Sequence, residues 1–440
     1  MKERLANILV RLRSSLWLIP LAVAAASFAL AYYLLASGLA FSAGAIDDMW
    51  WLFGGNADTA RDLLSTLLSG MITMTSLVVS ITMVVLSLAA GQLGPRLIWI
   101  FIRDRQIQGI LGLFIGTIVY LLVILRSVDG DLGEGGVPHI AITVGSGLTL
   151  ACLFALLFHV HKVSRLLISD VVVLMVAESL YAAIERLPRK DGSPLESGGA
   201  VVLPHEEEVA LGKSGYVQVV DYGALCRLAH KHDLLLDVEL RAGHFVLAEG
   251  VAVRAHAARP LDDEALSGIR DAFVVGGDRT PAQDLEYSIR QLVEIAVRAL
   301  SPGINDPFTA IAVVHRLGAA LSMIDRHVLP PEEHVDGEGR LRVRAVTTTH
   351  AGLVNAAFNQ IRQAAAQSAS VLIAIAQIFA QLAQVVEGLP LRAALRHQVG
   401  AIDRAGRSLP EPIDREAFAN AIDPALQALG PAPNSGGSRP

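Results

Sequence analysis

Serine and threonine side chains recur along one long apolar stretch of the sequence, and their spacing is that of one helix face. Residues 63–93 contain no formally charged side chain. The stripe consists of Ser69, Thr73, Ser76, Ser80 and Ser87. Steps of four, three, four and seven residues put all five on one line along an α-helix. Such a line of hydroxyl groups can solvate an ion or a small polar solute inside a membrane.

The stripe has two interpretations, and the sequence leaves both open. Small residues let membrane helices approach closely and hydroxyls bond across to a neighbour, which makes the stripe a packing seam. Polar groups within a membrane also face bundle interiors or water-filled cavities, which makes it the lining of a transport path. Packing is the commoner role of such a stripe, but it assigns no function to the protein. A transport path does assign one. A central pore built from one such helix per chain requires a homo-oligomer.

A second group of polar residues lies in the C-terminal half, around a break between two predicted helices. Asp284 and Arg290 belong to the first helix, and Asn305 and Asp306 belong to the break at residues 301–307. Antiparallel packing of the two helices would bring the four side chains into one cytoplasmic pocket for a ligand or partner. Helix caps and one ion pair explain the same residues without chemistry, and we favour that interpretation.

Two helix starts are explicit in this region. Residues 280–283 have the form of a capping box, with a threonine N-cap, a proline at the first helical position and a glutamine reaching back. This box predicts a helix that ends near Leu300. Asp306 is placed as the N-cap of the next helix, with Pro307 at its first position.

The chain carries no signature of a known catalytic centre. His230 and His232 are two residues apart and do not share a helix face. The sequence contains no Gly-x-Ser-x-Gly motif, no glycine-rich phosphate loop with its lysine, and no CxxC or HExxH motif. We therefore predict no cofactor and no metal site, and the sequence favours a non-enzymatic protein. An enzyme acting on lipid or envelope precursors is the remaining catalytic alternative.

Composition indicates an integral membrane protein. Of the 440 residues, 52 % are hydrophobic and 18 % are charged, and the mean hydropathy is +0.48. These values are too apolar for an ordinary soluble domain of this length. The net charge of −6 gives no reason to expect a nucleic-acid partner. Cys152 and Cys226 cannot form a disulfide framework, so we expect no disulfide and a reducing, cytoplasmic setting for Cys226.

Four apolar segments are long enough to cross a bilayer. They cover residues 16–36, 64–93, 107–125 and 138–160. The first run is longer than that of a typical signal peptide, so we expect an uncleaved helix. Acidic residues such as Asp58 and Asp62 precede the second span, whereas Arg103 and Arg105 follow it. This alternation of charge predicts four spans with both termini in the cytoplasm.

The rest of the chain is predicted as a series of shorter parts. After a membrane domain at 1–163 come a helical stalk at 164–187, a Gly-Pro-Ser-rich linker at 188–205, a small β-rich subdomain at 206–260, a helical subdomain at 261–428 and a disordered tail at 429–440. Alternating apolar residues with glycines at the corners predict a small β-barrel or sandwich for the β-rich part.

Several motifs of this sequence resemble those of one bacterial family. They lie at residues 69–73, 94–97, 103–105, 214–218, 279–281, 287–293 and 299–310, the last reading ALSPGINDPFTA. The family consists of predicted membrane proteins with the domain of unknown function number 2254, and the resemblance covers residues 16–385. It implies a bacterial inner-membrane protein with an N-terminal membrane part and a cytoplasmic C-terminal part. It supplies no catalytic residues.

These observations predict a membrane α-helical protein with four transmembrane helices and a cytoplasmic α+β domain, a small β-barrel or sandwich followed by a helical bundle. The function we expect is an oligomeric channel or transporter for ions or small solutes, gated by the cytoplasmic domain. Arg103 and Arg105 would then face anionic headgroups or a cytoplasmic vestibule. The alternative is a non-transporting scaffold or sensor that binds a ligand or partner near Asn305 and Asp306. The expected partners are the lipid bilayer and further copies of the chain.

Overall fold

The structure is a computed structural model that describes residues 18–37, 52–93, 104–128, 137–166, 169–190 and 204–430. The described residues divide after Ser169 into two compact units, here called the N-terminal unit and the C-terminal unit. Arg103, the motif at 94–97, most of the predicted linker and nearly all of the predicted tail lie outside the described residues.

The described part of the N-terminal unit consists of long helices. They are α1 (Leu18–Ala36), α2 (Ala57–Leu93), α3 (Arg105–Ser127) and α4 (His139–Leu166). Each is long and apolar enough to cross a membrane, in agreement with the four predicted segments. Helix α2 begins earlier than predicted because the Asn56 side chain accepts the Thr59 N–H at 2.9 Å and caps the helix. Its 37 residues extend over about 55 Å.

Close packing in the N-terminal unit occurs where glycines of α3 face α1. A Cβ atom on Gly112 would lie 3.1 Å from the Pro20 Cα atom, and one on Gly116 would lie 2.5 Å from the Ser27 hydroxyl oxygen. A larger side chain at Gly116 would therefore displace the Ser27 side chain or α1 itself. The two glycines are four residues apart, which is the spacing of small residues that lets membrane helices approach closely.

The predicted stalk is a helix that packs on the C-terminal unit. Helix α5 (Ser169–Glu185) buries Leu180 and Ile184, whereas Leu174 is 37 % exposed. The Tyr181 hydroxyl donates a hydrogen bond to the Arg316 carbonyl at 3.1 Å. The stalk thereby contacts a helix that lies far from it in the sequence.

Two open sheets share one apolar core in the C-terminal unit. The strands are β1 (His205–Ala210), β2 (Gly215–Val220), β3 (Leu235–Val238), β4 (Phe245–Val246), β5 (Val251–Ala257), β6 (Phe273–Gly276), β7 (Glu333–Val335) and β8 (Leu341–Ala345). Their orders are β1-β5-β3-β8-β7 and β4-β2-β6, with β3 and β8 parallel and the other pairs antiparallel.

The structure corrects the barrel form predicted for the β-rich subdomain at 206–260, whereas the sandwich form stays a prediction. The sheets do not close into a barrel, and three of their strands, β6, β7 and β8, come from residues beyond 260. Strand β3 is the middle strand of the five-stranded sheet. Leu236 is fully buried there, and the strand pairs with β5 on one side and with the distant β8 on the other. A pairing between strands this far apart leaves no local mark in the sequence.

The remaining helices of the C-terminal unit include a bundle of long, amphipathic elements. They are α6 (Tyr222–His232), α7 (Asp263–Asp271), α8 (Leu285–Ala299), α9 (Pro307–Ile324), α10 (His350–Ala364), α11 (Ala369–Val385), α12 (Leu389–Arg407) and α13 (Pro412–Leu429). By length and hydropathy alone α9 is a fifth helix able to cross a membrane. Here it packs on α8 and α11, with Val313, Leu317 and Leu321 buried. Because five of the described helices are long and apolar enough to cross a membrane, the number of four membrane spans stays a prediction.

The two predicted helix starts have different outcomes. The Asp306 carboxylate accepts the Thr309 N–H at 3.1 Å and Pro307 opens α9, which confirms that cap. The start of α8 was wrong, because Asp284 caps it by accepting the Tyr287 N–H at 3.0 Å. The Gln283 side chain is engaged elsewhere, since it bonds both backbone groups of Val220, at 3.0 and 3.1 Å.

Candidate functional site

The hydroxyl stripe lies on the exposed side of α2. All five of its members are exposed in the single chain: Ser69, Thr73, Ser76, Ser80 and Ser87. The buried side of the helix carries Leu64, Met71, Val78 and Val85, which follow one another at intervals of seven residues. At about 100° per residue these buried positions lie opposite the stripe. The apolar side of α2 therefore packs on α3 and α4, and the hydroxyl side points away from them.

This placement narrows the packing interpretation for the single chain. Among the described residues, the stripe is not the seam along which α2 packs within its own unit. The Thr73 hydroxyl donates instead to the Ser69 carbonyl of the same helix, at 2.9 Å. A packing seam between copies of the chain and the lining of a transport path both stay open.

The four predicted pocket residues do not come together. Asp284 precedes the first turn of α8, whereas Asn305 and Asp306 follow its last turn. The 15 residues of α8 separate these positions by about 22 Å. Asn305 has a φ of +50° and an exposed side chain, and Asp306 serves as the cap of α9. The predicted pocket is corrected to two separate places, one at each end of the helix.

At the N-terminal end of α8, Glu286 is the centre of an ion-pair network that the sequence did not show. Its side chain is buried, and its carboxylate lies 2.6 Å from the Arg241 guanidinium and 3.6 Å from that of Arg290. Arg241 also donates to the Thr348 hydroxyl at 3.3 Å. The network joins the segment after β3 to α8 and to the segment before α10. Only the Glu286–Arg290 pair, with its i,i+4 spacing, is visible in the sequence.

A second buried pair lies beside this network. The Arg279 Nε atom donates to the fully buried Asp284 carboxylate at 2.9 Å, and its Nη2 atom contacts the same oxygen. Gly243, with φ +91°, passes so close that a Cβ atom there would overlap this oxygen. Burial lowers the pKa of the neighbouring His244 imidazole, and the Arg241 charge lowers that pKa further. Every acid here is paired, so the cluster is best explained as a structural junction.

One trio of side chains has the composition of a metal site. Ligand atoms of His230, Asp336 and Glu338 lie within 4.8 Å of one another. The Arg342 Nε atom, however, donates to the Asp336 carboxylate at 2.8 Å and holds the pKa of that carboxyl far below its ordinary range. A guanidinium at this distance occupies the position that a cation would need. We assign the trio to an ion-pair corner.

A cavity of about 650 Å³ lies beside the end of the stalk. It is lined by charges of both signs, including Arg189, Lys190 and Asp325. The Lys190 ammonium lies 3.6 Å from the Asp325 carboxylate. That carboxylate also accepts the backbone N–H groups of Glu387 and Gly388, at 2.9 and 3.1 Å. Asp325 thus bonds to three other residues that line the cavity.

A histidine that the sequence assigns no role is buried in the N-terminal unit. His159 of α4 is fully buried, and its Nε2 atom lies 3.0 Å from the Thr82 hydroxyl of α2. His161, two residues further on, is exposed. Both histidines lie near the end of an apolar span, so the sequence does not predict that His159 is buried and His161 is exposed.

Long apolar helices followed by an α+β unit define the class as a multi-helix membrane protein. The family model described as "Predicted membrane protein (DUF2254)" matches residues 13–381. The chain therefore belongs to this family, which confirms the resemblance found in the motifs.

Relatives of this chain occur in mycobacteria. "Uncharacterized protein Rv1290c" of Mycobacterium tuberculosis is 29 % identical over 396 residues, which cover 86 % of this chain and 74 % of the relative. "Uncharacterized protein Mb1321c" of Mycobacterium bovis matches with the same identity and coverage. No solved structure matches this chain.

Proposed function

We propose that the protein is an oligomeric channel or transporter for ions or small polar solutes. Its path is lined by Ser69, Thr73, Ser76, Ser80 and Ser87 from several copies of α2. The observation that carries this proposal is the exposure of all five hydroxyl-bearing residues on the face opposite the buried side of the helix. In a single chain this face meets lipid, whereas in a ring of copies it encloses a polar path.

The spacing of the stripe supports a ring of α2 helices. Alternating steps of four and three residues, as from Ser69 through Thr73 and Ser76 to Ser80, average 3.5 residues per turn. This period keeps one face of each helix on the common axis of a left-handed bundle. Met83 continues the same line and is 65 % exposed, so it would form an apolar constriction within the path.

The proposal includes an orientation and a role for the C-terminal unit. The alternating loop charges place both termini in the cytoplasm of a bacterial inner membrane. The C-terminal unit then gates the path from the cytoplasmic side. In the sequence, α4 and α5 are separated by two residues only, so the stalk is the direct connection through which such gating would act.

The test is current across a planar bilayer that contains the purified full chain. We expect discrete conductance that Ser76→Trp abolishes, because the indole would fill the path. Leu77→Trp is the matched control. Leu77 is 49 % exposed and lies about 100° around the helix from Ser76, so its indole would face lipid.

Three outcomes contradict the proposal. The first is the absence of current from the folded wild-type protein, and the second is conduction by both tryptophan variants at the level of the wild type. A protein that stays strictly monomeric in a bilayer also excludes a path built from one stripe per chain. Size-exclusion profiles of both variants, compared with the wild type, show whether each is folded.

A second function, a non-transporting scaffold or sensor, is favoured by an apolar corner between α8 and α9. Phe308 is 81 % exposed and Ile304 is 42 % exposed, beside Asn305 and Asp306. Pro302 and Pro307 stiffen the backbone that presents them. Absence of current from the folded protein, together with loss of a co-purifying protein on Phe308→Ser, would favour this function over the channel.

A further inference from the structure

His159 and Thr82 form a polar contact inside the N-terminal unit. The Thr82 hydroxyl donates its hydrogen to the Val78 carbonyl at 2.7 Å. It can therefore only accept from His159, whose Nε2 atom lies 3.0 Å away. This assigns the neutral tautomer with its hydrogen on Nε2. The Nδ1 atom then carries a free lone pair, and it is buried without a hydrogen-bond partner among the described residues.

We propose that His159 Nδ1 is a proton-binding site, and that taking up a proton separates α4 from α2. Binding the proton turns the imidazole into a cation between two helices whose facing residues are apolar. The new N–H also needs an acceptor, and none lies within hydrogen-bond distance in the described part of the chain. A buried charge and a buried unpaired donor are both costly, so the protonated side chain is stabilised by moving towards water.

Among the residues that the structure describes, the charged groups around His159 offer it no counter-ion. Helix α1 has no charged residue, and α2 has none between Asp62 and its end at Leu93. On α4 itself the nearest charge is Lys162, three residues along, which repels a second cation. Helix α3 brings Asp104 and Arg105 at its start, but Asp104 already binds the Lys162 ammonium at 2.5 Å and caps α3.

This switch stands apart from the question of a path along α2. The stripe occupies the opposite side of that helix. The inference itself concerns only the contact between α2 and α4. Its test therefore measures that contact and needs no current.

The test uses a thiol placed in the contact. Val85 is 9 % exposed and lies one turn beyond Thr82 on the same face of α2. The chain with Val85→Cys and Cys152→Ala keeps Cys226 of the C-terminal unit as an internal reference. Both thiols are reacted with 4,4′-dithiodipyridine at about pH 7.5 and about pH 5.5, on either side of the ordinary histidine pKa. We divide the rate of the thiol at position 85 by the rate of Cys226. This ratio cancels the effect of pH on thiol ionisation that both groups share.

We expect this ratio to rise several-fold at the lower pH when His159 is present. His159→Gln should abolish the rise, because its amide can still donate to Thr82 but cannot take up a proton. His161→Gln, the exposed neighbour, is the matched control and should leave the rise unchanged. An equal ratio in the parent and in His159→Gln at both pH values overturns the proposal.

Nitrogen-15 spectra of the unsubstituted chain give a second measurement that does not depend on how any variant folds. The resonance assigned to His159 should show the Nε2–H tautomer at the higher pH and the doubly protonated ring at the lower one. A neutral ring at both values, or the Nδ1–H tautomer, overturns the proposal.

Discussion

At the residue scale, buried carboxylates determine how the parts of the C-terminal unit are joined. Glu286 is 5 % exposed and binds Arg241 from the segment after β3 as well as Arg290 from its own helix. A Cβ atom on Gly352 would lie 2.9 Å from the Glu286 Oε1 atom, so α10 also approaches this carboxylate closely. Loss of its charge leaves a guanidinium with little solvent and no counter-ion.

Glu286→Gln is expected to lower the free energy of unfolding of the C-terminal unit by about 3 kcal/mol, because Arg241 is only 16 % exposed and loses its partner. Pulse proteolysis of the full chain in urea measures this change. The control is Glu338→Gln, whose pair with Arg340 at 3.6 Å is largely exposed and should matter by less than about 1 kcal/mol. Equal effects of the two variants would contradict the assignment of Glu286 as the centre of the network.

Three histidines of the C-terminal unit make its stability depend on pH. Burial is the largest cause that lowers the pKa of His244, His334 and His350. Below about pH 6.5 these histidines become protonated in the unfolded chain, whereas in the folded state they stay neutral until the pH reaches their lowered pKa values. Stability that is present above this pH is therefore lost as the pH falls towards the lowered pKa values of the folded state.

His334 is suited to test this dependence because its ring stacks on Tyr222, with centroids 4.6 Å apart. His334→Phe keeps the stacking and removes one titrating group. We expect a shallower loss of stability between about pH 7 and about pH 5 than in the wild type. Urea midpoints across this range measure the slope, and His397→Phe, at an exposed position of α12, is the control. A slope equal to that of the wild type would refute the role of His334.

At the element scale, the N-terminal unit uses two kinds of helix face. Helix α3 meets α1 through Gly112 and Gly116, which lie against the Pro20 backbone and against the small side chains of Val23 and Ser27. Helix α2 meets α3 and α4 through larger apolar side chains such as Met71 and Val78. The hydroxyl face of α2 lies opposite and has the small residues that a further close contact needs.

Gly116→Leu is expected to destabilise the contact between α1 and α3 by about 2 kcal/mol, because overpacking displaces Ser27 or the whole of α1. Resistance of the purified protein to unfolding in SDS measures the change. Gly109→Leu is the control on the same helix, since a Cβ atom there meets nothing within 4 Å. If Gly109→Leu were the more harmful variant, the glycines would not be the packing surface.

At the scale of the whole molecule, the charge of the connecting segments makes a prediction about orientation. Basic residues cluster after the second and fourth spans, and acidic residues cluster on the other side. The positive-inside rule then puts the C-terminal unit in the cytoplasm. Ile413 of α13 is 74 % exposed and provides a position for a reporter in that unit.

With Ile413→Cys and Cys226→Ala, a membrane-impermeant maleimide should label the chain in inside-out vesicles and not in intact spheroplasts. Cys152 is buried and is left in place. Labelling of intact spheroplasts would contradict this orientation, because the C-terminal unit would then lie outside the cytoplasm. Labelling after detergent treatment of both samples controls for the amount of protein.

The long helices were predictable because their signal is local. Length and hydropathy located all four helices of the N-terminal unit, and the Asp306–Pro307 pair fixed the start of α9. The start of α8 was not predictable. The glutamine expected to reach back to Thr280 instead bonds β2, which lies about 60 residues earlier. Such a bond competes with a local cap and cannot be recognised without the tertiary fold.

By itself, the sequence determined that the chain has a membrane part, that its hydroxyl groups share one helix face, and that it carries the motifs of its family. Only the tertiary structure decided which way that face points and which charges meet. A helix has the same stripe whether it turns inwards or outwards, and the choice depends on the larger apolar area buried by the opposite side. For the same reason Asp284 and Asp306, near in sequence, lie apart, while Arg241 and Glu286, far in sequence, form an ion pair.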